Sequence, residues 1–456
     1  MKTLTPQIIA NITGGEYIGS DTGRYVPVRG AVRDDNDVKP GNLFVCIQGA
    51  NVDGHSFANN AYDAGAACCL AEKMITDAKG PYILVKSTLK SLMVLGTYYR
   101  SLFDIPVIGI TGSVGKTTAK EIIASVLEAK LCVLKTEMNM NNEIGVPLTL
   151  LSLEEKHEAA VIEMGIRDFG DMAILAQMVR PDIFVMTRIG YSHILELGDL
   201  QGVLRAKTEA FAYIKPTGIA VLNGDDELLN GYDPKIRKIC FGLEEHNDVR
   251  AINIVAEGVS AVDFDIVSDT GQFHVRLPAY GSHLAALAPA AVIVAHLLGL
   301  NDEEIHRGFM FYTPVEGRSR IINTEEMILI DDCYNANPNS VIAALTSISA
   351  LPERRVAILG DMFNLGVHSK QMHIEVGAFA ARCGIDVLLC QGVLSCDIYE
   401  GYISAGGICA QYYTQMPELT EDIPKYIKKG DAILVKASHA MHFEQLLPII
   451  SDLKFQ

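Results

Sequence analysis

The stretch that decides the fold reads Val107-Ile108-Gly109-Ile110-Thr111-Gly112-Ser113-Val114-Gly115-Lys116-Thr117-Thr118. Residues 107–110 predict a β-strand, residues 111–118 a loop, and the residues from Ala119 onward a helix. Glycines let backbone N–H groups converge on phosphate oxygens, and the positive end of the following helix faces them. Lys116 can then reach the β- and γ-phosphates, while the Thr117 hydroxyl can ligate Mg²⁺.

This glycine pattern differs from the usual P-loop, which has four residues between its glycines. Here Gly112 and Gly115 are two residues apart, so the match is to the shorter TGxxGKT form. The structural alternative is a glycine-rich turn that carries a solvated lysine. We predict a nucleotide site whose residues are Gly112, Ser113, Val114, Gly115, Lys116, Thr117 and Thr118.

Outward from this loop, short apolar runs alternate with helical stretches along most of the chain, which predicts α/β layers with mainly parallel strands. The predicted strands are 43–47, 107–110, 160–163, 183–187, 220–223, 327–330, 356–359, 387–390 and 432–435. Polar and apolar residues alternate between about Arg250 and Pro278, which predicts an antiparallel hairpin region. The apolar run from Leu284 to Leu300 predicts a buried helix, since it is too short to span a bilayer.

Turn-rich joints near residues 102–106 and 312–317 divide the chain into three predicted domains, 1–103, 104–313 and 314–456. A length of 456 residues agrees with several cores rather than one.

Composition excludes several classes of protein. The formal charge is -17, which argues against nucleic-acid binding. The first residues do not form a secretory signal, so we expect a cytoplasmic protein without a membrane span. The ten cysteines include no CxxC pair, so we expect most of them to be small buried apolar residues rather than ligands or disulfides.

Further segments identify a family. They are Lys135 to Thr149 (KTEMNMNNEIGVPLT), Ile162 to Gly165 (IEMG), Gly190 to His193, Arg205 to Lys207, Gly317-Arg318, Asp331 to Ser340 (DDCYNANPNS) and Leu359 to Met362 (LGDM). With them the chain resembles the Mur ligases over nearly its whole length. The resemblance implies an N-terminal UDP-sugar domain, a central P-loop ATPase domain with a parallel sheet, and a Rossmann-like C-terminal domain that receives an amine.

Within the family, the likeness is greatest to the ATP-dependent ligases that join D-alanyl-D-alanine (D-Ala-D-Ala) to a UDP-N-acetylmuramoyl-tripeptide. These enzymes act through an acyl phosphate and serve peptidoglycan synthesis, and thereby cell shape and division. The resemblance thus implies ATP, Mg²⁺ at two sites and two further small-molecule substrates. We expect no nucleic-acid partner and a monomer.

The resemblance also implies roles for single residues. Lys116, Glu163, His193 and Lys207 would be catalytic, and Thr117, Glu163, His193 and Lys207 would lie at the metals, with Lys207 carbamylated. A carbamate can sit beside Mg²⁺, where an ammonium group would be repelled. The local sequence leaves other interpretations open: Glu163 as a solvated strand end, His193 as a structural histidine, and Lys207 as a solvated lysine.

Two further positions, Arg318 and Asp332, resemble nucleotide contacts of the family, and Asn335 lies beside them as a candidate contact to nucleotide or substrate. Asp332 suits the ribose hydroxyls, whereas the Asn335 amide could equally stabilise its own loop. In the N-terminal domain, residues 40–44, 49 and 53–55 resemble the region of the UDP-sugar pocket, but they are also typical of turns.

Departures from the family pattern lie at substrate and nucleotide contacts. They are Asp35 and Asn36 near the uridine site, Met138 in place of a glycine, Arg188, Leu284 and Leu287 in place of asparagines, and His439 and His442 in place of arginines. Histidine does not replace the permanent planar charge of arginine. Two alternatives therefore stay open: a related ligase that uses another carboxylate and amine, and a non-catalytic nucleotide-binding protein.

Overall fold

The computed structural model describes residues 2, 4–49, 52–269, 271–324 and 326–455. These residues form two compact units. The first comprises Met1–Thr111, Leu131–Val185 and Lys207–Ile219, and the second comprises Gly112–Lys130, Met186–Ala206 and Ala220–Gln456. Each unit is described by itself below.

The N-terminal part of the first unit is a five-stranded sheet with helices. Its elements are α1 (Pro6–Thr13), β1 (Glu16–Ile18), β2 (Gly30–Val32), β3 (Asn42–Val45), α2 (Ala58–Asp63), β4 (Cys68–Ala71), β5 (Tyr82–Leu84) and α3 (Thr88–Ser101). The strand order is β1-β5-β4-β3-β2, with β2 to β5 parallel and β1 antiparallel to β5. Strands β3 and β4 are buried along their whole length, and all their residues except Asn42 are apolar.

The middle of the chain continues with strands and helices in alternation. They are β6 (Val107–Thr111), α4 (Lys116–Glu128), β7 (Val133–Lys135), α5 (Gly145–Leu150), β8 (Ala159–Glu163), α6 (Asp171–Val179), β9 (Ile183–Met186), α7 (Ile194–Leu197), α8 (Leu200–Thr208), β10 (Ile219–Asn223) and α9 (Glu227–Asn230). In the first unit the order is β9-β6-β8-β7, and β6, β8 and β7 are parallel.

The middle elements after α9 belong to the second unit, which also contains α4, α7 and α9. They are β11 (Arg237–Gly242), β12 (Val249–Glu257), β13 (Ala261–Ser268), β14 (Gly271–Leu277), α10 (Ala288–Leu297) and α11 (Asp302–Met310). Strands β10 to β14 lie side by side in chain order, and β12, β13 and β14 pair antiparallel. This confirms the predicted antiparallel region. The apolar run 284–300 is not one helix, because a 3₁₀ turn over Ser282–Ala286 precedes α10.

The C-terminal part of the second unit is a doubly wound α/β layer. Its elements are β15 (Arg320–Asn323), β16 (Ile328–Asp331), α12 (Pro338–Ser349), β17 (Arg355–Gly360), α13 (Ser369–Arg382), β18 (Val387–Gln391), α14 (Cys396–Ser404), β19 (Ala410–Tyr413), α15 (Met416–Tyr426), β20 (Ala432–Lys436) and α16 (Leu446–Ser451). The order is β15-β16-β20-β17-β18-β19, and only β15 is antiparallel among these strands.

Two apolar cores cover the two faces of this sheet. Helices α12, α13 and α14 contribute to one core, and α15 and α16 contribute to the other. The last strand, β20, lies between β16 and β17 in the middle of the sheet. The chain therefore changes from one face to the other beside β20, and such a switch point opens a crevice at the carboxyl ends of the strands.

Two expectations about the whole chain can be compared with these described residues. None of their helices is long and apolar enough to cross a membrane. All ten cysteines are free, and five of them are buried: Cys46, Cys68, Cys69, Cys333 and Cys390. The expectation that most cysteines are buried is therefore not met, because the other five are partly exposed.

Candidate active site

The phosphate loop, residues 112–115, joins the end of β6 to the start of α4. The helix begins at Lys116 rather than at Ala119, because Gly115 adopts a left-handed conformation (φ 82°) that turns the chain directly into a helix. The N–H groups of Lys116 and Thr117 therefore lie in the first turn, where the helix itself offers no acceptor. Such groups suit a phosphate, so this correction favours the predicted nucleotide site.

Hydrogen bonds from the chain after β9 fix the phosphate loop. The Ser113 N–H donates to the Arg188 carbonyl over 2.7 Å, and its hydroxyl donates to the Gly190 carbonyl over 3.0 Å. The Thr187 hydroxyl donates to the Val114 carbonyl over 2.6 Å. These contacts use the N–H group and the hydroxyl of Ser113 and the carbonyl of Val114, and they fix the shape of the loop.

His193 follows the same segment and is the residue before α7, with a left-handed φ of 61°. The preceding hydroxyl, of Ser192, donates to the Ser113 carbonyl over 3.1 Å and accepts from the Asn337 amide over 3.4 Å. Within the second unit, therefore, the residue next to His193 is bonded to the phosphate loop.

Arg318 lies close to the first turn of α4. Its Nη2 donates to the Thr117 hydroxyl over 3.4 Å, and its guanidinium stacks on the Tyr334 ring at 4.0 Å. The Lys116 Nζ donates to the Gly112 carbonyl over 2.8 Å. The Arg318 Nε is buried, and none of the described residues accepts its hydrogen bond. A phosphate oxygen would satisfy this donor, so these residues fit a nucleotide.

Asp332 is nearly buried and forms an ion pair of 2.7 Å with Lys436. Lys436 also donates to the Asn335 carbonyl over 2.9 Å, which orders the loop after β16. The Asn335 side chain is exposed, and its amide oxygen accepts from the N–H of Ala336. The alternative role of Asn335, stabilising its own loop, therefore has direct support.

Tyr280 is a neighbour of Asp332 that the sequence did not single out. Burial, and then the charge of Asp332, raises the pKa of Tyr280 well above its usual range. Its hydroxyl is buried and has no hydrogen-bond partner among the described residues. It is therefore a protonated donor beside the carboxylate that is expected at the ribose.

Glu163 ends β8 in the first unit and is 1% exposed, so the alternative of a solvated strand end is wrong. Its N–H donates to the Thr136 hydroxyl over 3.0 Å, and its Oε1 accepts from the Asn141 amide over 2.7 Å. Its Oε2 is buried, and no described residue donates to it. A buried carboxylate oxygen without a donor is costly, and a divalent cation would satisfy it.

Lys207 lies on α8 and is 2% exposed, so the alternative of a solvated lysine is wrong as well. It belongs to the first unit with Glu163, whereas Thr117 and His193 belong to the second. Within the described parts of both units, no group of three or more His, Cys, Asp or Glu side chains is arranged to hold a metal. Of the four expected metal ligands, only Glu163 is acidic and only His193 is a histidine, so the expected set does not contain three such side chains.

Thr136, Asn141 and Lys436 are three contacts of the site to which the sequence alone assigned no role. The first two hold Glu163, and Lys436 holds Asp332. A lysine that ends the apolar strand β20 was the available signal for the last contact, because a buried ammonium group requires an acidic partner.

The first unit also contains an open cavity of about 440 Å³ beside β2 and β3. It is lined by Gly30, Ala31, Val32, Asn36, Asp37, Val38, Lys39, Asn42 and Ser152. Asn36 is one of the departures near the expected uridine site, and its N–H and amide both donate to Asp34. Residues 53–55 form a turn instead, in which Asp53 accepts from the His55 ring over 2.6 Å.

The other departures have distinct surroundings. Met138 has a left-handed φ of 47° and is 79% exposed. Leu284 is buried, and Leu287 lies against Gly115 of the phosphate loop. The centroids of the His439 and Tyr334 rings are 5.5 Å apart, and the Arg318 guanidinium stacks on the same Tyr334 ring.

Comparisons with known proteins cover most of the chain. Residues 36–92 match the Mur ligase family, catalytic domain; residues 110–295 match the Mur ligase middle domain; and residues 317–439 match the Mur ligase, glutamate ligase domain. The chain is 35% identical to the UDP-N-acetylmuramoyl-tripeptide–D-alanyl-D-alanine ligase of Synechocystis sp., over 90% of this chain and 88% of that one.

Two crystal structures of MurF are similar over almost their full length. MurF from Acinetobacter baumannii has a TM-score of 0.88 and 29% identity, covering 99% of this chain and 100% of that one. MurF from Thermotoga maritima in complex with ADP has a TM-score of 0.81 and 28% identity, covering 95% and 98%.

The phosphate loop and the three-domain α/β architecture define the class, and the chain belongs to the Mur ligase family. Within the family it is a Mur ligase of the MurF type.

Proposed function

We propose that this chain joins D-Ala-D-Ala to a UDP-N-acetylmuramoyl-tripeptide in an ATP-dependent reaction that forms a carbon–nitrogen bond. The Synechocystis relative is a UDP-N-acetylmuramoyl-tripeptide–D-alanyl-D-alanine ligase, and the Thermotoga maritima structure holds ADP. The observation that carries the proposal is the phosphate loop, fixed by the chain after β9. The product would be a peptidoglycan precursor.

The chemistry accounts for the need for ATP. A carboxylate resists attack by an amine because it is negatively charged and has no leaving group. Transfer of the γ-phosphoryl group to a carboxylate oxygen releases ADP and forms an acyl phosphate. The amine nitrogen then bonds to the acyl carbon, phosphate leaves, and the nitrogen loses a proton. Phosphoryl transfer mainly requires positioning and charge neutralisation from the protein.

We assign the nucleotide to residues 112–118 together with Arg318, Asp332 and Asn335. Lys116 and the first turn of α4 would hold the phosphates, and the unsatisfied Arg318 Nε supports a further phosphate contact. Asp332 would accept from the ribose hydroxyls. The exposed Asn335 keeps only its amide N–H groups for a ligand, since its oxygen accepts from Ala336.

Two Mg²⁺ sites complete the proposal. The residues proposed at the metals are Thr117, Glu163, His193 and a carbamylated Lys207, and the proposed catalytic residues are Lys116, Glu163, His193 and Lys207. Bound Mg²⁺ would neutralise charge on the transferring phosphoryl group. The unsatisfied Oε2 of Glu163 supports a metal at this carboxylate, and the burial of Lys207 agrees with a role inside a site rather than in solvent.

We also propose domain boundaries at 103/104 and 313/314, a monomeric state and a cytoplasmic location. The family matches over 36–92, 110–295 and 317–439 each fall inside one of these domains. Ten free thiols agree with a reducing compartment.

The test is an assay of ATP-dependent ADP formation over a panel of UDP-muramyl peptides, each with D-Ala-D-Ala or another amine. We expect the highest kcat/KM with D-Ala-D-Ala and a UDP-N-acetylmuramoyl-tripeptide, with one amide product per ADP. Preference for another carboxylate and amine would indicate the alternative of a related ligase. That alternative is open because the chain departs from the family pattern at Leu284, Leu287, His439 and His442. Nucleotide binding without turnover on the whole panel would indicate the non-catalytic alternative.

A further inference from the structure

The motif Leu359 to Met362 contains an acidic residue, Asp361, to which the proposed function assigns no role. Asp361 follows β17 and is 3% exposed. Its Oδ1 accepts from the N–H groups of Leu394 and Ser395 over 2.9 and 2.7 Å, and its Oδ2 accepts from that of Val393 over 3.0 Å. Three consecutive backbone donors of the loop after β18 thus converge on one carboxylate.

The same residue reaches the loop after β20. Its carbonyl accepts from the Ser438 N–H over 3.1 Å, and the Ser438 hydroxyl accepts from the Phe363 N–H over 3.0 Å. Gly392 packs directly on the carboxylate at φ 130°, where an added Cβ would lie 2.2 Å from Oδ1. One hydrogen-bond network therefore joins the three loops that follow β17, β18 and β20. We call it the Asp361 network.

These loops form one side of the crevice beside β20, at the carboxyl edge of the C-terminal sheet. On the other side of β20, the loop after β16 carries Asp332, which Lys436 holds and which is assigned to the nucleotide. The Asp361 side presents apolar surface instead: Val393 is 79% exposed and Phe363 is 37% exposed. His439, which follows Ser438, is exposed as well.

We infer that Asp361 is a positioning residue for the amine substrate, whose site is the surface formed by Phe363, Val393 and His439. This inference rests on the proposed function. A dipeptide with two methyl side chains and a carboxylate suits a surface with apolar side chains and an imidazole donor. Asp361 does not touch the amine; it sets the distance between the loops that do.

Substitution of Asp361 by asparagine tests the role of its carboxylate without changing the size of the side chain. In Asp361→Asn one oxygen still accepts two N–H groups, but the new amide nitrogen faces the third donor. If the nitrogen replaces Oδ2, the Val393 N–H loses its acceptor, and two donors then face each other. The size of the side chain is unchanged, so the loop after β18 should shift while the sheet remains folded.

Asp431 provides the matched control. It is 1% exposed, accepts from the Lys428 N–H over 2.7 Å, and pairs with Arg354, but it precedes β20 at the opposite edge of the sheet. Asp431→Asn thus weakens a buried carboxylate cluster of the same sheet without touching the three loops. It reports the effect of lost stability alone.

The experiment measures the KM of the full-length enzyme for D-Ala-D-Ala, ATP and the UDP-muramyl peptide, together with thermal unfolding. In Asp361→Asn we expect the KM for the amine to rise about tenfold or more, and the other two to stay within about twofold. Asp431→Asn should lower thermal stability and leave all three KM values within about twofold. If Asp361→Asn fails to fold, Ser438→Ala removes only the bond to the Phe363 N–H and should raise the same KM more weakly.

The inference is overturned if folded Asp361→Asn has an unchanged KM for the amine, or if all three KM values change equally. The proposed function fails separately if the wild-type enzyme forms ADP only with an amine other than D-Ala-D-Ala. In that case the KM for that other amine is compared between the wild type and Asp361→Asn. A selective rise in the KM for that amine would still support the role of Asp361.

Discussion

Met138 adopts a backbone conformation that favours glycine, and its side chain is mostly exposed, so burial of this side chain contributes little to stability. Its φ is 47° and it is 79% exposed. We expect Met138→Gly to stabilise the protein by about 1 kcal/mol relative to Met138→Ala, because alanine keeps the Cβ that opposes a left-handed backbone. Denaturant unfolding of both variants measures this difference. Equal stabilities would show that residue 138 carries no strain.

Lys116 is the residue on which the phosphate assignment depends most. Its Nζ donates to the Gly112 carbonyl over 2.8 Å at the start of α4. We expect Lys116→Ala to keep the fold and to lower the rate of ADP formation by on the order of 10²-fold or more, about 3 kcal/mol at the transition state. Lys130→Ala, which changes a half-exposed lysine paired with Glu304, is the control. Near-normal turnover in Lys116→Ala would remove the basis of the site.

Lys207 is buried, and its proposed carbamate makes activity depend on dissolved carbon dioxide. We expect wild-type activity to fall in carbonate-free buffer and to return with bicarbonate. Lys207→Ala should be at least about tenfold less active in both buffers, because it lacks the anion beside the metal. Lys215→Ala, at an exposed lysine paired with Asp182, should behave as the wild type does. Bicarbonate-independent wild-type activity would contradict carbamylation.

At the level of elements, α13 is tied to the loop after β17 by a buried histidine. The His373 Nε2 accepts from the Met362 N–H over 3.0 Å, and its Nδ1 donates to the Ser369 carbonyl over 2.7 Å. Burial lowers the pKa of His373. The neutral ring is therefore the native form, and protonation would remove the acceptor of the Met362 N–H.

The sign of the pH dependence follows from this shift. The unfolded chain binds a proton near pH 6.5, above the folded pKa, so stability is lost as pH falls below about 6.5. His373→Gln offers an acceptor but does not titrate. We expect the wild type to lose more unfolding free energy than this variant between about pH 7 and pH 5. Parallel pH profiles in denaturant unfolding would show that His373 does not contribute to this loss.

The sequence predicted elements better than it predicted the contacts between them. The nine expected strands are present with shifts of one or two residues, because apolar runs between turns determine them locally. The start of α4 was misplaced, since one left-handed glycine decided it. The sequence could not predict that Asn141 supports Glu163 or that Asp361 joins three loops, because these contacts join residues 22 to 77 positions apart.

At the level of the whole molecule, the order of the C-terminal sheet makes the end of the chain essential. Strand β20 pairs with both β16 and β17. We expect a chain that ends at Gly430 to accumulate in the insoluble fraction, because two buried parallel strands would then expose unpaired edges. A chain that ends at Leu453 keeps β20 and α16 and should remain soluble. Soluble, monomeric protein from the shorter chain would contradict this expectation.

The central place of β20 also has a consequence for biosynthesis. The ribosome delivers β16 to β19 first, but the sheet cannot close until the last strand enters the gap between β16 and β17. Domains generally fold in the order of synthesis, and incomplete ones expose apolar surface that aggregates. The nascent chain should therefore need protection by chaperones late in translation. A ribosome that stalls before Ala432 leaves a C-terminal sheet that cannot close, however well the preceding residues have folded.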